Sequence, residues 1–394
     1  MNVNVTLHKD VVDILERLER SGFEAYVVGG YVRDALLGKC AGDCDITTNA
    51  TPEQTKSVFA DERTIDTGIK HGTVTLLYNG TPYEITTYRV DGDYADNRHP
   101  NTVSFTASLR EDLARRDFTV NAMAYSHKRG LVDAFGGIED LRRGIIRAVG
   151  NPERRFTEDA LRILRALRFA SVLDFEIDNS TRLAVFELCD RLSSVSVERV
   201  LVELRKLIGG VGAHRVLSEY AKIISEQLSG IDTLTLPDEP AFASMTPDER
   251  MISLFYLSAN DPSSAFEASM RSLHADRATE RFGTAVLRAM TLDLRGDALY
   301  ELVLDEGADV AMTALSLKAK LGGGEEHLSR LEKLLSSGRP CKISELRIGG
   351  RDITALGIVG ERVGELLRSA VLTVMRGELE NNTSELLAYI KKAK

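Results

Sequence analysis

Asp43 and Asp45 stand two apart in the run Asp43-Cys-Asp-Ile-Thr-Thr48, and this pair carries the first chemistry legible in the chain. The run favours a strand. On a strand, residues i and i+2 share a face, so both carboxylates converge while Cys44 faces away. Paired carboxylates without His or Cys partners suit a hard, oxygen-loving cation such as Mg²⁺, which can activate a hydroxyl nucleophile and neutralise a phosphate leaving group. An exposed edge strand or a capping turn would account for the same residues, since Asp is common at turns. Glu84, on the second strand of an expected hairpin, is the candidate third catalytic carboxylate, and a solvent-facing strand residue is its alternative.

The preceding segment offers those carboxylates something to act on. Ala25-Tyr-Val-Val28 reads as a buried strand running into Gly29-Gly30, and Tyr31 to Leu37 as a short helix closed by Gly38. Free backbone N–H groups and the positive end of a helix can then face a phosphate. Arg33 adds a guanidinium able to grip phosphate in a bidentate way. An ordinary strand-to-helix turn also uses Gly-Gly. The ordered set Gly-Gly-x-x-Arg-Asp, followed ten residues after Arg33 by Asp-x-Asp, is far more specific.

A third group lies further along. The spacing predicts a helix capped by Thr157 and running from Glu158 to Ala170, with Asp159, Arg162, Arg165 and Arg168 three apart on one ridge. Most such ridges are solvated, salt-bridged faces. This one can also discriminate bases. A carboxylate accepts from the exocyclic amine of cytosine or adenine, and a guanidinium only donates. Asp159 with Arg162 would then admit C and A and repel U and G, with Arg165 and Arg168 serving phosphates or holding the ridge.

These groups need scaffolding. To about residue 145, short β-type runs alternate with amphipathic helices, which predicts a mixed α and β head. A hairpin is expected at Thr73–Tyr78, Asn79-Gly80 and Tyr83–Tyr88, and a capping box at Ser108 and Glu111. Beyond about Arg142 the pattern is helical. Gly230 to Pro247, holding three of the nine prolines, reads as a loop, and Thr246-Pro-Asp-Glu249 restarts a helix.

Composition bounds the rest. A chain of 394 residues needs more than one core, and 43% hydrophobic with 28% charged residues is globular. No apolar run of spanning length and no signal-peptide pattern is found, so no membrane role is expected. Cys40, Cys44, Cys189 and Cys341 form no CxxC pair, which reads as reduced thiols in a cytoplasmic protein. The net charge of −9 hides a basic stretch from Leu141 to Ala170, with eight arginines against three carboxylates. Screening confines such a field to about 10 Å, so an acidic protein can still hold a phosphate backbone locally.

Four segments together resemble a known family. Val28-Gly-Gly-Tyr-Val-Arg-Asp-Ala-Leu-Leu-Gly38 with Asp43-Cys-Asp45 is similar to the metal-and-phosphate motif of class II tRNA nucleotidyltransferases, the bacterial CCA-adding enzymes, whose relatives include poly(A) polymerases. Leu113-Ala-Arg-Arg-Asp-Phe-Thr-Val-Asn-Ala122 resembles their ribose motif, Glu158-Asp-x-x-Arg162 their amino-acid template, and Val195-Ser-Val-Glu-Arg-Val200 the segment closing the neck. The resemblance implies Mg²⁺ on Asp43 and Asp45. It implies nucleotide contacts at Gly29, Gly30, Arg33, Arg116 and Asp117, and ATP or CTP read or held by Asp159, Arg162, Arg165 and Arg168. The fold implied is α+β: a catalytic head with a mixed β-sheet over residues 1–145, then an elongated all-α neck (146–205), body (206–330) and tail (331–394). Ile348-Gly-Gly-Arg-Asp-Ile-Thr-Ala-Leu-Gly-Ile358 is similar to the family's tail, which would grip the tRNA elbow while the acceptor end reaches the head.

The expected reaction is addition of C, C and A to tRNA. A-only or CC-only addition and poly(A) synthesis are the close alternatives. The segment from Arg89 to Pro100 fits a mobile loop that could reset the site between C and A. By the resemblance, CC-only members lack a full loop here, so Arg98-His99-Pro100 counts against them, and Asp66-Thr-Gly-Ile-Lys-His-Gly-Thr73 resembles the CCA-adding form and not the more basic strand of the poly(A) polymerases; A-only members keep the loop. A DxD glycosyltransferase would have no use for the Asp159/Arg162 pair, and a non-catalytic RNA-binding descendant would not need both aspartates. No histidine is followed by Asp, so no phosphohydrolase domain is expected.

Overall fold

The computed structural model describes residues 5–40, 42–92 and 103–393, and Arg98-His99-Pro100 therefore lies outside the described residues. The chain divides into two compact units, Met1–Val216 and Leu217–Lys394.

In the first unit, local signals and structure agree closely. α1 (Lys9–Arg20) buries Val11, Ile14, Leu15 and Leu18, spaced three and four apart, as an amphipathic helix must. β1 (Ala25–Val28) is buried throughout and ends at Gly29, whose φ of 73° turns the chain into α2 (Gly30–Leu36). β2 (Asp45–Thr48) leads to α3 (Pro52–Val58), started by a Thr51/Gln54 capping box. β3 (Arg63–Gly68), β4 (Thr73–Tyr78) and β5 (Thr81–Thr87) follow. The expected hairpin joins β4 to β5 through Asn79 and Gly80, both left-handed at φ 50° and 81°.

β6 (Arg89–Asp91) and β7 (Val103–Phe105) form a separate two-stranded ribbon. Ser108 caps α4 (Leu109–Ala114), but only half of the expected box closes. The Glu111 carboxylate accepts from the Thr106 hydroxyl, and the Ser108 amide donates to that same Thr106 oxygen. β8 (Met123–Ser126) and β9 (Gly130–Asp133) complete a seven-stranded sheet ordered β3-β4-β5-β2-β1-β8-β9. β2 pairs antiparallel with β1 and parallel with β5, so the sheet is mixed, as expected. Tyr26 and Val28 of β1, Ala124 of β8, Tyr88 and Leu113 form a buried core cluster.

α5 (Gly137–Arg143) packs on the single turn Thr119–Asn121 so closely that Gly137 has no room for a side chain. An added Cβ would overlap the Thr119 carbonyl oxygen and sit 3.0 Å from Met123 Cγ. Gly137→Ala is expected to cost about 1–3 kcal/mol, as overpacking against backbone does. An unchanged melting temperature would contradict this contact.

The unit continues with β10 (Ile145–Ile146), α6 (Pro152–Glu158), α7 (Leu161–Leu173), β11 (Glu176–Ile177), α8 (Asn179–Leu188) and α9 (Val197–Ile208). In the second unit every described element, from Ala221–Ser225 to Thr383–Lys392, is helical. Thr246 and Glu249 close the expected capping box on Pro247–Ser258. The stretch before it, expected as a loop, holds the short helix Glu239–Ala243, which Asp238 caps and Pro240 helps to start. Among the described residues no helix is long and apolar enough to cross a membrane. The chain is thus α+β, a mixed sheet followed by helices.

Candidate active site

Parallel pairing of β2 with β5 sets Glu84 directly beside Asp45, on the same face of the sheet. Asp43 lies at a bend before β2, so the two aspartates do not share a strand as expected; Asp45 opens it and Asp43 precedes it. Asp43, Asp45 and Glu84 nevertheless line one cavity of about 1210 Å³. Cys44, expected to face away, lines it as well, because strand alternation begins only at Asp45. Burial, reinforced by Asp45, pushes the Cys44 thiol up to about 12. The Asp45 carboxyl is itself raised above the usual carboxylate range by desolvation; Arg116 opposes the shift and Asp43 adds to it. Three carboxylates lining one cavity, one of them held uneasily as an anion, fit a hard divalent cation.

Asp45 also lines a second cavity of about 710 Å³, together with Gly29, Gly30, Arg33, Arg116, Asp117, Arg165 and Arg168. Its floor is a network of buried charge. Arg33, expected to grip phosphate, donates through Nε and Nη2 to Asp34 at 2.9 Å and through Nη1 to Asn121 at 2.7 Å. Arg116 lies over Gly29, where an added Cβ would stand 3.2 Å from Nη1. Burial lowers the Arg116 pKa against the pull of Asp112, which lies 3.6 Å from Nη2, and its buried Nε has no hydrogen-bond partner.

Asp117 accepts from Arg165 Nε at 2.9 Å and Nη2 at 2.5 Å, and from Asn121 Nδ2 at 3.2 Å. Burial would raise its pKa, but Arg165 outweighs that and holds it at about 2. Arg168 is pushed down to about 10 by burial and then by Arg165, although its Nε stands 3.0 Å from Glu203. The Phe169 ring is faced by three guanidiniums, with Arg168 at 4.0 Å, Arg33 at 5.2 Å and Arg165 at 5.3 Å. Asn121, Phe169 and Glu203 are the residues that sequence reasoning did not single out. Asn121 lies in the Leu113–Ala122 segment already noted, whereas nothing in the sequence marks Glu203 as the partner of Arg168.

The expected helix over 158–170 is two helices. Asn151 caps the Arg154 amide, with Pro152 at the first position, and starts α6 early. Thr157 and Glu158 therefore end α6 instead of opening the next helix. Asp159 follows in extended conformation, with φ −144°, and α7 begins at Leu161. The four-residue ridge is broken as a result. The Asp159 carboxylate accepts from the Leu161 amide at 3.0 Å and from Arg199 Nη2 at 2.8 Å. Arg162 is 8% exposed and donates to Glu158 at 2.9 Å and to the Arg155 and Arg115 carbonyls. Arg165 and Arg168 reach the second cavity; Asp159 and Arg162 are not among the residues that line it.

A carboxylate trio beside a cationic cleft, joined at Asp45, is an arrangement for transferring a group from a phosphate ester. Residues 25–147 match the family model described as the poly(A) polymerase head domain, and residues 174–222 match that of the probable RNA and SrmB-binding site of polymerase A. A CCA-adding enzyme of Lactobacillus delbrueckii subsp. bulgaricus is 37% identical over 99% of this chain and 99% of its own length. One from Geobacillus stearothermophilus is 36% identical over 97% and 96%. The crystal structure of the Bacillus stearothermophilus CCA-adding enzyme in complex with CTP superposes with a TM-score of 0.79 at 32% identity, covering 98% of this chain and 97% of that one. The chain belongs to the CCA-adding enzymes, which are tRNA nucleotidyltransferases. Nucleotidyltransferases of this kind act with a divalent metal.

Proposed function

We propose that this chain adds C, C and A in turn to the 3′ end of tRNA from CTP and ATP, with no nucleic-acid template. The observation that carries the reading is that Asp45 lines both cavities, so the carboxylate trio and the arginine-rich cleft serve one reacting phosphate. Asp43, Asp45 and Glu84 would hold Mg²⁺, which when bound supplies charge neutralisation at the phosphate and acidifies the attacking hydroxyl. Gly29 and Gly30, at the opening of α2, leave the backbone bare where a triphosphate approaches. Arg116, with its unpaired Nε, contacts the nucleotide. Asp117 fixes Arg165, and Glu203 fixes Arg168, so that cationic groups are in place before the substrate arrives. The tRNA 3′-hydroxyl attacks the α-phosphate, pyrophosphate departs, and the chain contributes position and charge.

Asp159 and Arg162 select the base once Arg199 yields Asp159 to the incoming exocyclic amine. On this reading Asp159→Ala admits UTP and GTP, raising their incorporation relative to CTP by at least about tenfold, the worth of one base-edge contact. Unchanged selectivity in single-nucleotide competition refutes the role. The head is assigned to 1–145, the selecting neck to 146–205, the body to 206–330 and the tRNA-binding tail to 331–394, with the cytoplasm, where tRNA is processed, as the site of action. A tRNA ending at its discriminator base tests the product. CTP alone is expected to add two residues, CTP with ATP three, and ATP alone none; extension by A only, arrest at two, or a long A tract each overturns it.

A further inference from the structure

The far rim of the cationic cavity is built unlike its floor. Val172 at the end of α7 and Val211 just after α9 both line it, and they are 40% and 80% exposed. Val211 is held outward. Gly210 packs on Ser171 with no space for a Cβ, Gly212 packs likewise on Asp174, the Gly212 amide donates to the Ser171 carbonyl at 2.9 Å, and the Ser171 hydroxyl donates to the Leu207 carbonyl at 2.5 Å. A clamp of this kind buries two glycines to present one valine to solvent. Lys206 lines the same rim and meets no carboxylate among the described residues.

We infer that Lys206, Val172 and Val211 form the seat of the terminal nucleotide of the acceptor strand, with Lys206 on its phosphate and the two valines against its base. The inference rests on the function proposed above. A nucleoside triphosphate has one base, and that base is assigned to Asp159 and Arg162. Val172 lies ten residues beyond Arg162 on α7, about 15 Å along the helix axis. An apolar surface at that distance has nothing to offer a triphosphate tail. The second substrate supplies a second base, and its 3′-hydroxyl reaches Asp45 from inside the same cavity.

The test uses the full-length chain, a tRNA ending at the discriminator base, and CTP. Lys206→Ala is expected to raise the KM for tRNA about fivefold and to make its dependence on salt shallower by about 0.7 in logarithmic slope, as loss of one single-strand phosphate contact does. Val211→Ser, at an exposed position that leaves folding intact, raises the KM for tRNA, and Val211→Asp raises it further. In each variant the KM for CTP and the melting temperature stay at wild-type values. A rise in the KM for CTP instead, or no change in either constant, overturns the assignment. Wild-type chain that fails to extend tRNA at all overturns the function beneath it, and that result is distinct from either.

Discussion

Asp45→Ala is expected to reduce nucleotide addition by on the order of 10³-fold or more while leaving the protein folded. The asymmetry follows from where Asp45 sits. It opens β2, its side chain is exposed, and the pairing that holds the strand runs through the backbone to Val28 and Glu84. The buried anchors of that strand are Ile46, Thr47 and Thr48. Removing a carboxylate that makes no hydrogen bond or ion pair among the described residues, and that feels only the more distant charge of Arg116, therefore changes stability by no more than about 0.5 kcal/mol. Its anion is in fact disfavoured by desolvation and by Asp43, so the variant is if anything slightly more stable. Catalysis has no such tolerance, because Asp45 is the only metal-ligand candidate common to both cavities among the described residues. Asp45→Asn keeps the shape and removes the charge, which separates charge from packing. Both variants should melt with the wild type and keep the KM for CTP within a few-fold. Turnover retained in Mg²⁺ would refute the metal assignment.

The sequence spoke clearly wherever a signal was local. Ala25–Val28, Gly29-Gly30 and the Asn79-Gly80 turn formed as expected, because a strand-to-helix glycine pair and a two-residue hairpin are decided by φ at one or two residues. Glu84 was legible only as a strand position; its place beside Asp45 depends on β2 pairing in parallel with β5 across 39 residues of chain, which no local pattern encodes. The α6–α7 break is illegible in the sequence for a different reason. Thr157 looked like a cap, but Asn151-Pro152 is the stronger start, and a helix begun there has ended by Glu158. Spacing alone places Asp159 on the ridge, whereas in the fold it caps the Leu161 amide and pairs with Arg199, forty residues on. The partners of the arginines were the least legible of all. Asp117 and Glu203 meet Arg165 and Arg168 through tertiary packing alone.

Asp117→Asn is expected to cost about 3 kcal/mol of stability and to raise the KM for CTP together. Asp117 is 10% exposed and takes two hydrogen bonds from Arg165, so neutralising it leaves a largely buried guanidinium with Glu203, 3.6 Å away, and the more distant Asp159 as counter-ions among the described residues. Breaking a buried pair on one side costs about 3–5 kcal/mol, and the partial exposure of Arg165 puts this case at the lower end. The pH dependence gives the loss a signature. The Asp117 pKa is lowered in the folded chain from the usual 3.8 to about 2, burial being outweighed by Arg165, Asn121 and the nearby Arg162. A depressed carboxylate stabilises the fold above its unfolded pKa, and that contribution fades as pH falls from about 4 through 2. Nearly two pKa units correspond to about 2 kcal/mol. The wild type and Asp117→Asn should therefore differ most in melting temperature above pH 5 and converge towards pH 2. A gap that stays constant across that range would mean that the carboxylate acts through shape alone. Arg165 would then not be held by charge, and the preorganised cationic cleft would lose its main support.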